Sequence, residues 1–168
     1  MKPKVCLIGV GMGNPATLTA EAERAIEACP VLVGAPRLLE PYQKGKNCVP
    51  LIAAADILAY IETCGESPVG VLLSGDVGFY SGAKNLWPLL EGYEVESLPG
   101  ISSLAYLCTK LKTSWQDAHV ASAHGRILNA AGEVQSHAKT FLLTGGKTKA
   151  QDVCRAIAEW GMDWVEIS

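Results

Sequence analysis

No stretch of this chain reaches the ~18 consecutive apolar residues of a membrane span, so no membrane-spanning helix is expected. A basic excess is lacking as well. Lys and Arg total 14 against 17 Asp and Glu, a formal charge of −3, which argues against a general nucleic-acid binder. The six cysteines, at 6, 29, 48, 64, 108 and 154, form no C-x-x-C pair, so neither a zinc site nor a disulfide framework is suggested. Most of them fall in or beside apolar segments, as reduced core thiols do. Met1-Lys2-Pro3-Lys4 runs directly into a strand-like segment, without the apolar region and cleavage site of a signal peptide. A cytoplasmic protein is expected. Low-complexity linkers and internal repeats are missing too, and 168 residues suffice for one domain or two small ones.

Two nucleotide-binding signatures are incomplete. A dinucleotide fingerprint wants G-x-G-x-x-G after the first strand and an acid about 20 residues on. Here Asn14 takes the third glycine position, and the second apolar run, Val31-Leu32-Val33-Gly34, ends without an acid. A P-loop needs G-x-x-x-x-G-K-[ST]. Gly146-Lys147-Thr148 supplies its tail, but Phe141 stands where the first glycine belongs.

What is present is an alternation of short apolar runs and helical periods. Strands are expected at Lys4–Val10, Val31–Gly34, Asn47–Pro50, Val69–Leu73 and Tyr93–Ser97. Helices are expected over Ala16–Cys29, after Pro36, over Ala53–Cys64, over Gly82–Glu91, and from Ser102 to about Lys112. Thr17 or Thr19 suits the first helix as a cap. This β-α-β-α order makes the chain α/β in class, with a mostly parallel five-stranded sheet and helices on both faces. A second unit follows. It has strands at Ala118–Ala121 and Thr140–Leu143, helices over Ile127–Ser136 and Lys147–Trp160, and another strand beginning in Asp163–Ser168. The domains expected are 1–112 and 113–168.

The stretch from Val69 to Gly82 draws attention first. A buried strand ends in Ser74-Gly75-Asp76, and ligands of open α/β sheets bind at such strand ends. Asp76 can accept hydrogen bonds from a ligand or cap a helix opening near Phe79. The Gly9–Gly13 loop suits a phosphate, a carboxylate or a flat ligand edge. Arg37 falls at a helix start, as a ligand contact or a solvated surface group.

Four stretches, in order and spacing, resemble the tetrapyrrole methylases, the S-adenosylmethionine enzymes of sirohaem and cobalamin synthesis. They are G-V-G-M-G-N-P-A-T-L-T at 9–19, L-S-G-D-V-G-F-Y-S at 73–81, L-P-G-I-S-S at 98–103 and F-L-L-T-G-G at 141–146. V-G-A-P-R-L-L-E at 33–40 and S-A-H-G-R at 122–126 are similar to the branch acting on carbon 5 of a corrin precursor. The resemblance implies two α/β domains of the tetrapyrrole methylase fold, with S-adenosylmethionine held in the cleft between them. Ser74, Gly75 and Asp76 match the donor-binding turn, and Phe79 an apolar position packed on the donor. Ser102 and Ser103 match residues after Pro-Gly-Ile that touch it. Thr144 matches a strand-end residue of the second domain. Gly11 and Gly13 match a loop bordering the tetrapyrrole; Met12 replaces a common proline there and is counted with the donor contacts. Where many relatives carry Tyr-Asp after the second strand, this chain has Gly34-Ala35, so no base is carried over at that place. Ser168 falls within what the resemblance implies is the second domain's sheet, so that domain is expected to be truncated at its C-terminus.

Methyl transfer is an in-line displacement, for which the protein aligns the reactants and excludes water. His124 is the candidate base, since its reference pKa lies near neutrality; orienting a carboxylate is its alternative role. Arg37 and Arg126 are candidate clamps for the substrate's acetate and propionate groups. Together with His124 they are expected on one side of a single cleft. No protein metal site is expected. A homodimer is expected, with a carbon-15 methyltransferase and decarboxylase as a possible partner. Alternatives are a transferase of the same fold with another acceptor, and a non-catalytic subunit that binds the donor or the tetrapyrrole.

Overall fold

The computed structural model describes residues 2–123, 128–145 and 148–168. The chain divides into two compact units, Met1–Tyr106 and Leu107–Ser168. The division falls inside a helix, six residues before the boundary at 112.

In the first unit five strands form one all-parallel sheet: β1 (Val5–Gly9), β2 (Val31–Gly34), β3 (Asn47–Val49), β4 (Val69–Leu73) and β5 (Val95–Leu98). Their order is β3-β2-β4-β1-β5. The helices are α1 (Ala20–Ala28), α2 (Pro36–Leu39), α3 (Ala54–Thr63), α4 (Ala83–Leu86) and α5 (Ser103–Lys110), which runs on past Tyr106. Period-two alternation of the strands loads both faces. Val5, Leu7, Val31, Val33, Val69 and Val71 pack with Ile57 and Ile61 of α3 and with Ala83 and Leu86 of α4. Cys6, Ile8, Leu32 and Leu72 pack on the other face, with Ala22 and Ile26 of α1 and Leu38 and Leu39 of α2. Every residue of β1 and β2 is buried, which is why these strands read as unbroken apolar runs.

This layering positions the site. β1 and β4 are neighbours, yet the chain leaves β1 for α1 on one face and β4 for α4 on the other. Such a switch opens a crevice at the carboxyl ends of the two strands.

Local chemistry trims several expected elements. The helix expected from Ala16 is a short 3-10 turn at Pro15–Thr17 followed by α1, whose cap is Thr19; its hydroxyl accepts from the Ala22 amide at 3.1 Å. The helix expected over Gly82–Glu91 is α4 plus a 3-10 turn at Trp87–Leu90. Pro88 has no amide to donate, and the α-helical ladder stops there. No helix opens at Phe79. The stretch between Asp76 and α4 is irregular, with Tyr80 at φ 48°.

Among the described residues the second unit holds two parallel strands, β6 (His119–Ser122) and β7 (Thr140–Leu143), with α6 (Ala130–Ser136) and α7 (Ala150–Glu159). Asn129 caps α6 through its side-chain oxygen, which accepts from the Gly132 amide at 3.1 Å. The core is formed by Ala130, Ala131, Val153, Ile157 and Met162, with Leu142 and Val165 packed against it. The strand expected to begin in Asp163–Ser168 is absent. The Val165 amide donates to the Met162 carbonyl in a local turn, and its side chain joins the core. Among the described residues no helix is long and apolar enough to cross a membrane.

Candidate functional site

Three loops meet at the carboxyl ends of β4, β1 and β5, and they are tied by backbone. The Val10 amide donates to the Leu73 carbonyl at 2.9 Å. Gly11 and Gly75 then exchange hydrogen bonds, Gly11 N–H to Gly75 O at 3.1 Å and Gly75 N–H to Gly11 O at 2.7 Å. Both sit at positive φ, 62° and 70°, where glycine carries no steric penalty. The third loop packs as closely. A Cβ on Gly100 would overlap the Gly75 carbonyl oxygen and Gly9, so only glycine lets these loops touch.

Asp76 joins two of the loops. Its Oδ1 accepts from the Gly78 amide at 2.8 Å, closing a tight turn, and its Oδ2 accepts from the Gly100 amide at 3.1 Å. The sequence leaves Asp76 open as ligand contact or helix cap; in the fold it caps no helix and holds the loop after β4 against the loop after β5. Gly100, which sequence reasoning does not single out, is its partner 24 residues away. Ser102 has a structural duty also: its Oγ accepts from the Ala105 amide at 3.2 Å, capping α5. Ser103, half-buried, starts that helix. Ser74 is exposed at the end of β4, and Phe79 is half-buried, its ring edge-on to Tyr80 at 5.2 Å.

On the β1 side the glycine loop is pinned by Thr17, which is 2% exposed. Its hydroxyl accepts from the Met12 amide at 2.9 Å and donates to the Asn14 carbonyl at 3.0 Å. Sequence reasoning treats Thr17 only as a possible cap; its role here is to shape the loop while Thr19 caps the helix. Met12 itself is 40% exposed. Gly13, at φ 84°, has open space where a Cβ would stand.

Gly13 and Arg37 face one groove of about 320 Å³, which Asn14, Leu18, Glu23 and Tyr42 also line. Arg37 sits in the first turn of α2, exposed, with no hydrogen bond or ion pair among the described residues. Lys46, at the groove's rim, donates to the carbonyl of Cys29 at 2.8 Å and is committed to the end of α1. Burial and then the Glu23 carboxylate raise the Tyr42 phenol above its ordinary pKa, so it stays neutral. The groove and the Ser74–Asp76 turn are thus linked through the Gly11–Gly75 bridge.

The structure brings Gly11, Met12, Gly13, Arg37, Ser74, Gly75, Asp76, Phe79, Ser102 and Ser103 into one unit, on the loops and helix starts that follow β1, β2, β4 and β5. Thr144, exposed, follows β7 in the second unit. His124 and Arg126 lie outside the described residues.

This arrangement suits S-adenosylmethionine. Exposed or half-buried hydroxyls at Ser74, Ser102 and Ser103, a glycine turn without side-chain bulk, and an aromatic ring at Phe79 offer hydrogen bonds and an apolar surface to such a molecule.

Comparison with known proteins agrees in fold and family. The chain is 26% identical over 148 residues to the probable cobalt-precorrin-7 C(5)-methyltransferase of Methanocaldococcus jannaschii, covering 83% of this chain and 70% of that one. It is 29% identical over 165 residues to a precorrin-6Y C(5,15)-methyltransferase [decarboxylating] of Sinorhizobium, covering 96% of this chain but 40% of that longer protein. The crystal structure of the precorrin-6Y methylase from Archaeoglobus fulgidus superposes with a TM-score of 0.71 at 21% identity, over 89% of this chain and 77% of that one. The profile of the Tetrapyrrole (Corrin/Porphyrin) Methylases matches residues 4–163, so nearly the whole chain is accounted for and the protein belongs to that family of S-adenosylmethionine-dependent methyltransferases.

Proposed function

We propose that this protein methylates carbon 5 of a corrin precursor of the cobalt-precorrin-7 type, in cobalamin biosynthesis. The observation that carries the reading is the joined set of loops at the β1/β4 switch point, with a glycine turn on one side and the Gly13–Arg37 groove on the other. Bound S-adenosylmethionine supplies an electrophilic methyl group, which passes to an electron-rich carbon of the macrocycle. The chain's own residues align and shelter that transfer. Ser74, Gly75, Ser102 and Ser103 hold the donor by hydrogen bonds, with Asp76 fixing the turn that carries the first two. Phe79 and Met12 supply apolar contact. Arg37 and Arg126 hold substrate carboxylates by bidentate hydrogen bonds. His124 is assigned the proton that the methylated carbon releases, and Thr144 a contact to the donor. The two relatives named for carbon 5 support the choice of acceptor atom.

The same comparison supports a protein partner. The Sinorhizobium relative is named for carbons 5 and 15 and is much longer than this chain. A separate carbon-15 methyltransferase and decarboxylase is therefore the proposed companion, alongside self-association as a homodimer. Six free cysteines, half of them buried, fit the reducing cytoplasm.

The test is turnover of methyl-labelled S-adenosylmethionine with cobalt-precorrin-7 and its cobalt-free counterpart. Label at carbon 5 with release of S-adenosylhomocysteine is the expected result. Donor binding without turnover, with the second protein present or absent, would favour a non-catalytic subunit. Label at another ring carbon would reassign the acceptor within the family.

A further inference from the structure

The second unit carries a group of metal-ligating side chains that the methyltransferase reading does not use. His119 opens β6, and Glu133 lies in α6. His137 is the C-cap residue that follows that helix, four residues after Glu133. His119 Nε2 is 2.7 Å from Glu133 Oε2. The two imidazole rings stack, with centroids 3.7 Å apart and planes 4° from parallel. One ligand atom from each of the three residues lies within 4.8 Å of the others. We propose that His119, Glu133 and His137 form a site for a divalent transition-metal ion, zinc first, which cross-links β6 to α6.

Two imidazoles and a carboxylate are a donor set that zinc takes, with a water in the fourth position. The tautomers favour it. His137 Nδ1 is 2.9 Å from the Glu133 carbonyl oxygen, which can only accept, so Nδ1 carries the proton and Nε2 keeps its lone pair. A backbone carbonyl holding the far ring nitrogen is the usual support of a zinc-bound histidine. Between His119 Nε2 and Glu133 Oε2 one shared proton stands where the metal would. Because the rings are stacked and parallel, zinc binding at about 2.0–2.2 Å requires the His119 ring to turn out of the stack until its in-plane lone pair and that of His137 meet the ion. The His119 and Glu133 side chains are 33% and 30% exposed, so an ion reaches them without unfolding.

His119 stands at the amino end of β6, five and seven residues before His124 and Arg126 in the sequence. Sequence spacing conceals the site, because Glu133 and His137 are 14 and 18 residues from His119 and meet it only when α6 packs back.

The experiment uses the full chain without a histidine tag, stripped with chelator, under reducing agent. Cys154 is exposed and could take zinc by itself, so a Cys154→Ser background is used. Calorimetric titration with Zn²⁺ should show one equivalent bound and a raised Tm, and Co²⁺ should give the visible absorption of a four-coordinate ion. His119→Ala and His137→Ala should each weaken Zn²⁺ binding at least about tenfold, and His124→Ala should leave it unchanged. His137 is exposed, so its variant keeps the fold, checked by circular dichroism. No Zn²⁺ heat or Tm shift in the parent chain would overturn the inference. So would unchanged affinity in folded His137→Ala, or loss of binding in His124→Ala alone.

Discussion

The two units use parallel strands in different ways. In Met1–Tyr106 the central strands are buried on both faces, and helices on either side supply two separate cores. In Leu107–Ser168 β7 is only half-buried along its length, and the core is built chiefly where α6 meets α7. A two-stranded sheet is marginal without helices packed on it. The comparison teaches where rigidity resides. The first unit can hold three loops in register to within a carbonyl's width, because five strands fix their origins. The second relies on side-chain ties such as Lys139, whose ammonium reaches Asp117 Oδ1 at 2.8 Å, the Ser114 carbonyl at 3.0 Å and Thr113 Oγ1 at 3.1 Å.

The sharpest way to break this contrast is a matched truncation. Leu7→Ala, at a fully buried position of β1, should cost about 2–5 kcal/mol in urea unfolding. Leu142→Ala, at a half-buried position of β7, should cost about 1 kcal/mol, since less apolar area leaves water there. Equal losses would mean that the second unit depends on its sheet as heavily as the first.

A smaller effect is expected at Asp76. Asp76→Ala removes a carboxylate that accepts from two amides and leaves Gly100 N–H half-buried without it. A loss of about 1–2 kcal/mol is expected, together with weaker S-adenosylhomocysteine binding by calorimetry, because the turn and the β5 loop separate. Asp76→Asn keeps one acceptor oxygen and should fall between. Unchanged stability and affinity in both variants would show that the Gly11–Gly75 bridge holds the loops alone.

The smallest effect belongs to the Asp117–Lys139 pair. The hydrogen bond from Lys139, then one from the chain's own backbone, holds the Asp117 carboxyl below the usual carboxylate range. A depressed folded pKa contributes stability that is present above the unfolded value and disappears as pH falls through the folded one. Lys139→Met should therefore lower stability slightly at neutral pH and flatten the acid limb of a pH–stability profile. The group is exposed, so added salt should shrink the difference. A profile of unchanged steepness would assign the acid response to other carboxylates.

How far the sequence alone reached can be judged from particular residues. Val5–Gly9, Val31–Gly34 and Val69–Leu73 announce buried parallel strands because every side chain there is apolar, a property each segment carries by itself. The strand-helix alternation likewise determined the α/β class and the parallel sheet, and the family motifs marked the loops after β1, β4 and β5. The rest needed contacts between segments. Nothing local to Thr17 and Thr19 says which caps α1 and which pins the glycine loop. Nothing near Asp76 says that its second oxygen meets Gly100. Val165 belongs to a segment that looks like the start of a strand, but its amide is spent in a turn and its side chain in the helical core. His119, Glu133 and His137 lie too far apart in the chain to suggest one another. Periodicity is a property of neighbours in sequence, so it determined the elements. Which loops share a crevice depends on strand order and on the face each helix covers, and those were decided only when the sheet closed its ladder as β3-β2-β4-β1-β5.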